Sequence, residues 1–446
     1  MDYYGIILIV NKLIRVISMT SEPLEQFETV DSFQGGKLLT NYVDSKEFYS
    51  LLSKYGVAEN EIGTSSILEL YYRIPRKIFN KVFLNCVMFN HLKNVYIYNI
   101  SVKKEKFKSE ITDVLKDIND ESNVPVALKP YIVKEGFNLM TVLGNQSKLA
   151  DKFVLALEYM ESDEIDQARL LFSQVVLTKS GKVIHNVCGV IVDFTNNKCL
   201  ISFKNNTDLD KGNDPDLIEK FKITMPSYRD WIIQRLKDVV GFEMQDTEEV
   251  RLQMYEICKA FDEVLLREDR LVVTDKLKLK ITQDINEYLS LLTTENISVS
   301  ENDKESLIKS TLSLVNGVYV KSKYQNKQLQ KKAKALKLDG YPTKIQYTSS
   351  KLDKGATQSS GKNEPVSSSE IYHSIYNNFS EASSLDKWCI AWFTDYNHDD
   401  VNNYDVIQTT IQVKIQTIHI TFLPKRALNE ELISHVIRKI SNRSSN

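Results

Sequence analysis

The sequence predicts an α+β protein: an antiparallel β-meander packed with a helical region, plus a small C-terminal α/β unit after a flexible linker. Three observations carry this expectation. Between Ala168 and Asn205 three strand-like apolar runs are separated by turn residues. From Asp214 to about Leu338 the apolar spacing becomes helical. From Tyr341 to Ser369 large apolar side chains give way to Ser, Thr, Gly, Lys and Pro. A chain of 446 residues exceeds what one core usually serves, so two or three folded units are expected. Their expected bounds are 1–160 (mixed α/β), 161–340 (meander, then helices), 341–369 (linker) and 370–446 (C-terminal unit).

In the first region Ile7, Leu8, Ile9 and Val10 read as a buried strand. The apolar run there is interrupted by Lys12 and Arg15, far short of the roughly 20 residues a spanning helix needs. It has neither the basic leader nor the cleavage site of a signal peptide, and no later run is long enough to span. A cytoplasmic protein without a membrane partner is therefore expected. Ser45–Leu52 has a capped, helical pattern, and Arg76–Leu92 starts a second helix just after Pro75. Val95–Tyr98 reads as a strand; Pro125 and Pro130 then break the chain before the apolar segment Phe137–Leu143.

The meander is Leu170–Thr178, Val183–Phe194 and Cys199–Lys204, joined through Ser180-Gly181 and Asn196-Asn197, residues that tolerate the positive φ of tight turns. In the helical region, Val250, Met254, Ile257, Cys258, Phe261 and Leu265 form one stripe over Glu248–Leu266. Ser300 with Asp303 resembles a capping box ahead of Leu307 and Ile308. Segment 341–369 carries too little apolar surface to order itself. Beyond it the pattern gives a helix (Ile371–Phe379), a strand (Lys387–Phe393), a bulged strand or hairpin (Asp405–Leu423) and an amphipathic helix (Asn429–Ile440). Within Asp405–Leu423, Ile407, Ile411, Val413 and Ile415 oppose Gln408, Gln412, Lys414 and Gln416. The apolar parity switches at Ile418, Ile420 and Phe422, which implies a bulge or turn near Gln416-Thr417.

Composition bounds function only loosely. Lys+Arg of 57 against Asp+Glu of 59 excludes a uniformly basic nucleic-acid coat and permits a local patch. Cys86, Cys188, Cys199, Cys258 and Cys389 are scattered and unpaired in spacing, so buried thiols are expected rather than disulfides or a zinc site. Phosphate loops, dinucleotide fingerprints, nucleophile elbows and zinc-protease motifs are absent, and no cofactor is expected.

Three partial signals remain. The hairpin His185–Val192 followed by Leu200–Asn205 resembles the central hairpin of restriction-type nucleases, which hold Mg²⁺ with acidic residues beside an acid-x-Lys strand. Here Asn186, Cys188 and Ser202 stand where carboxylates belong, and only Lys204 fits; a hairpin so built should not cleave. On Ile418–Phe422, His419 and Thr421 share a strand face, similar to the H-x-T motif of two-histidine phosphoesterases, which need two such motifs where this chain has one.

The third signal is the basic stretch Lys321–Lys354, with ten lysines against Asp339 and Asp353 and with tyrosines interleaved. Lys321, Lys323, Lys327, Lys331, Lys332, Lys334 and Lys337 could neutralise phosphates while Tyr324 stacks on bases. The bland alternative is a solvated helix end running into a charged linker. Together these signals favour a non-enzymatic binding or accessory protein that contacts nucleic acid or a protein partner. A diverged hydrolase with a dispersed site is the alternative. Abundant Asn, Lys and Ile suggest an AT-rich bacterial or phage-related genome and a mobile-element or anti-phage setting.

Overall fold

The computed structural model describes residues 39–441 except 64, 122–150, 163–165, 206–223, 245, 294–297, 326, 349–353, 360, 362 and 383. The expected N-terminal strand 7–10 and the segment 137–143 lie outside the described residues. One antiparallel sheet of eleven strands organises the rest. Its strands are β1 (Asn94–Ile100), β2 (Lys152–Glu161), β3 (Asp166–Leu177), β4 (Val183–Asp193), β5 (Lys198–Phe203), β6 (Phe242–Glu243), β7 (Gly340–Thr348), β8 (Lys354–Gln358), β9 (Leu385–Phe393), β10 (Val406–Lys414) and β11 (Thr417–Phe422). The order is β2-β3-β4-β5-β1-β11-β10-β9-β7-β8, with short β6 beside β1.

Helices cover this sheet: α1 (Ser45–Lys54), α2 (Glu59–Ile62), α3 (Ile67–Arg73), α4 (Arg76–Phe89), α5 (Lys104–Glu121), α6 (Met225–Val240), α7 (Thr247–Thr293), α8 (Glu301–Lys323), α9 (Gln328–Ala335), α10 (Glu370–Glu381) and α11 (Glu430–Ser441). Their starts follow local chemistry. Asp44 caps α1 by accepting from the N–H groups of Lys46 and Glu47, and Ser300 caps α8 by accepting from Asp303 N–H. The expected stripe from Val250 to Leu265 lies in α7, whose 47 residues make a rod of about 70 Å at 1.5 Å per residue. This helix packs on β7, β9 and β10 and pairs with α8.

The meander forms as expected, with Gly181 and Asn197 at positive φ in its two turns. The parity switch near Gln416 is a tight hairpin: Lys414 faces Thr417, and Gln416 adopts a φ of 68°.

Segment 341–369 departs from the expectation. Among its described residues, β7 pairs along β9 and carries β8 on its outer edge. Gly340 to Thr343 are buried in succession up to a register shift after Pro342. Beyond it Ile345 and Tyr347 are buried while Lys344 and Gln346 are half-buried, a period-2 pattern that enters the core although the surrounding composition is polar. The sheet also runs unbroken between the meander and the C-terminal strands, because β1 lies between β5 and β11.

Candidate nucleic-acid interface

The C-terminal half of the sheet is built in alternating layers. One rung of directly opposed residues runs Ile345, Trp388, Ile411, Ile420 and Val95 across β7, β9, β10, β11 and β1. All five are buried in the main core. Because side chains alternate, the neighbouring rungs project from the opposite face. They are Gln346, Lys387, Gln412, His419 and Tyr96, then Lys344, Cys389, Thr410, Thr421 and Asn94. No position in either rung is Asp or Glu.

This second face reaches solvent. Lys344, Gln346, Lys387, Gln412, His419 and Thr421 are half-buried, and Lys414, the last residue of β10, is exposed. None of Lys344, Lys387 and Lys414 forms an ion pair among the described residues. At the β1 end the face becomes aromatic. The His419 ring stacks on Tyr96 at 4.2 Å with the planes parallel. The Arg229 guanidinium, from α6, lies 4.9 Å from the same Tyr96 ring and the Lys414 ammonium 5.8 Å from it. Burial, with Lys414 and Arg229 adding to it, pushes His419 down to about 4, so the ring is neutral at physiological pH. Asn94 accepts from the Thr421 hydroxyl at 3.2 Å, while its buried amide nitrogen has no partner. Amides, hydroxyls, unpaired ammonium groups and a stacked aromatic pair therefore share one side of the sheet. Such a surface can take a phosphate backbone on its cations and base edges on its amides.

The basic stretch has a different fate. Asp269 of α7 is fully buried, and Lys323 and Lys332 each approach its carboxylate at 2.7 Å. Tyr324 donates its hydroxyl to the same group at 3.0 Å. Burial alone would raise the Asp269 carboxyl, but the hydrogen bonds from Lys323 and Lys332 outweigh it and hold it below the usual range. Lys334 is itself buried and donates at 2.7 Å to Asp395, whose carboxyl is pulled down to about 2 by that bond and by the N–H groups of Asp400 and Asp399. Lys321 pairs with Glu370. These cations and Tyr324 link α7, α8, α9, α10 and the β9–β10 loop, so their charges meet partners within the chain. Lys327, Lys331 and Lys337 remain exposed.

The other two signals resolve locally. In the nuclease-like hairpin, His185 is buried and its Nδ1 lies 2.8 Å from the Ser173 hydroxyl, while Lys204 donates to the Asn41 carbonyl at 2.6 Å. His419 and Thr421 do share a face, with Nε2 and Oγ1 3.3 Å apart. His373 is buried against the Ser367 carbonyl. Among the described residues no three His, Cys, Asp or Glu side chains converge as a metal site, and no helix is long and apolar enough to cross a membrane. The alternation of Gln408, Gln412 and Lys414 with isoleucines was the sequence signal for the polar face; what it could not supply was the neighbouring strands. No protein family, curated protein or solved structure matches the chain.

Proposed function

We propose that this protein is a non-catalytic nucleic-acid-binding or accessory protein, and that single-stranded nucleic acid lies across the face of β7, β9, β10 and β11. The observation that carries the reading is the pair of polar rungs without Asp or Glu, with Lys344 and Lys387 in them and Lys414 beyond them on β10, none in an ion pair among the described residues, and the Tyr96–His419 stack at one side. A flat sheet face suits splayed single strands, whose bases stack and hydrogen-bond while phosphates meet Lys344, Lys387 and Lys414. The bacterial mobile-element or anti-phage setting suggested by composition is part of the same proposal.

The test is fluorescence anisotropy with labelled single-stranded DNA, single-stranded RNA and duplex across a salt series. Lys344→Gln, Lys387→Gln and Lys414→Gln combined should weaken single-strand binding at least about tenfold at low salt. The slope of log K against log salt should fall by roughly 2, at about 0.7 per phosphate contact. Lys327→Gln, Lys331→Gln and Lys337→Gln combined should leave binding near the parent value. No binding at low salt sinks the proposal; loss only in the second variant returns the interface to the Lys327–Lys337 segment.

A further inference from the structure

A separate cationic cluster surrounds the start of β1. The β1–β5 ladder ends at Asn94 opposite Phe203, and Lys93 and Lys204 are the next residues outward, opposed if that register continues. Like charges directly opposed across antiparallel strands are destabilising. Both side chains are half-buried, which adds a desolvation cost. Neither meets a carboxylate among the described residues. The Lys93 ammonium donates to the carbonyls of Pro424 and Arg426, each at 2.6 Å. The Lys204 ammonium donates to the Asn41 carbonyl at 2.6 Å and sits 4.7 Å from the Tyr42 ring. An ammonium has three N–H donors, so these contacts leave one on Lys93 and two on Lys204.

The surroundings do not neutralise the pair. Burial pushes Lys93 down to about 8, and Lys204 and Arg426 push in the same direction. Burial likewise lowers Lys204. His91 falls to about 4 through burial, with Lys93 and Lys204 adding to it. The nearby Asp44 carboxylate is engaged with the N–H groups of Lys46 and Glu47 at the start of α1. Arg426 is tied to Asp405 at 2.6 Å. Positive charge therefore accumulates in a partly dry site with donors to spare, an arrangement expected where charge is held for a ligand.

We propose that Lys93 and Lys204 bind a phosphate-type oxyanion. The bound anion would satisfy the spare donors and cancel the cross-strand repulsion. The phosphate is free or belongs to a nucleotide, and this site is independent of the sheet face proposed above.

The experiment compares thermal unfolding of the full chain in phosphate, in adenosine monophosphate and in chloride at matched ionic strength. Phosphate far above its Kd should raise Tm by roughly 2 °C over chloride. A larger shift with the nucleotide would identify a nucleotide ligand, and an equal shift a free phosphate. Lys204→Met should melt higher than the parent in chloride, because the repulsion is relieved, and should lose the phosphate response. Lys204→Arg should retain that response. Phosphorus-31 line broadening of phosphate by the unmodified chain reports binding without any variant. Equal melting in phosphate and chloride with no line broadening overturns the proposal, as does a Lys204→Met variant that responds like the parent.

Discussion

Asp269 shows how one residue can redirect the meaning of several others. The lysines at 323 and 332 lie 54 and 63 residues from it in sequence, so their local context is a basic, tyrosine-rich run. Their tertiary context is a buried carboxylate. Removing that carboxylate leaves two ammonium groups and a phenol converging on a neutral side chain. Asp269→Asn is expected to destabilise the protein by about 3 kcal/mol, since breaking a buried pair costs more than forming it gains. Urea unfolding measures this directly, and a loss under about 1 kcal/mol would mean that water screens the cluster.

At the scale of elements, the close approach of α8 and α10 is set by a glycine. A Cβ at Gly317 would lie 2.8 Å from the His373 Cβ, and Ser313 of α8 donates to the His373 carbonyl at 2.6 Å. Alanine is the better helix former by up to about 1 kcal/mol. Overpacking a tight contact costs roughly 1–3 kcal/mol, so the clash should win. Gly317→Ala should lower the denaturation midpoint, whereas a raised midpoint would show that α10 shifts without cost. Legibility at this scale depended on how much of an element's pattern survives in its own residues. The meander turns, the Gln416 hairpin and the start of α4 after Pro75 carry local signals, and all were readable. β7 also had one in the alternation of Ile345 and Tyr347 with Lys344 and Gln346, but Ser- and Lys-rich flanks concealed it. The extension of α7 beyond Leu266 was less readable because Lys276–Lys280 faces solvent on every side, which breaks the apolar stripe.

For the whole molecule, the decisive contact is β1 between β5 and β11. It joins residues near 95 to residues near 200 and near 420 in one hydrogen-bonded ladder. The meander and C-terminal strands should therefore unfold together. Tryptophan fluorescence, with Trp388 and Trp392 reporting the C-terminal strands and Trp231 the α6 side, should give the same midpoint as far-UV circular dichroism. Two separated transitions would show that the sheet divides at β1. A chain ending at residue 369 should fail to give a protease-resistant core, because β1 and β7 would both lose a neighbouring strand.

The α+β class, the meander, most helix starts and the C-terminal hairpin were determined by the sequence alone, since each rests on propensity, capping and periodicity over a few residues. The joining of those pieces into one sheet, the capture of the lysine run by Asp269 and Asp395, and the polar rungs across five strands were decided only by tertiary structure. Each of these depends on which distant residues face one another. Strand register aligns Gln346, Lys387, Gln412, His419 and Tyr96 over more than 300 residues of chain, and no local periodicity encodes that alignment.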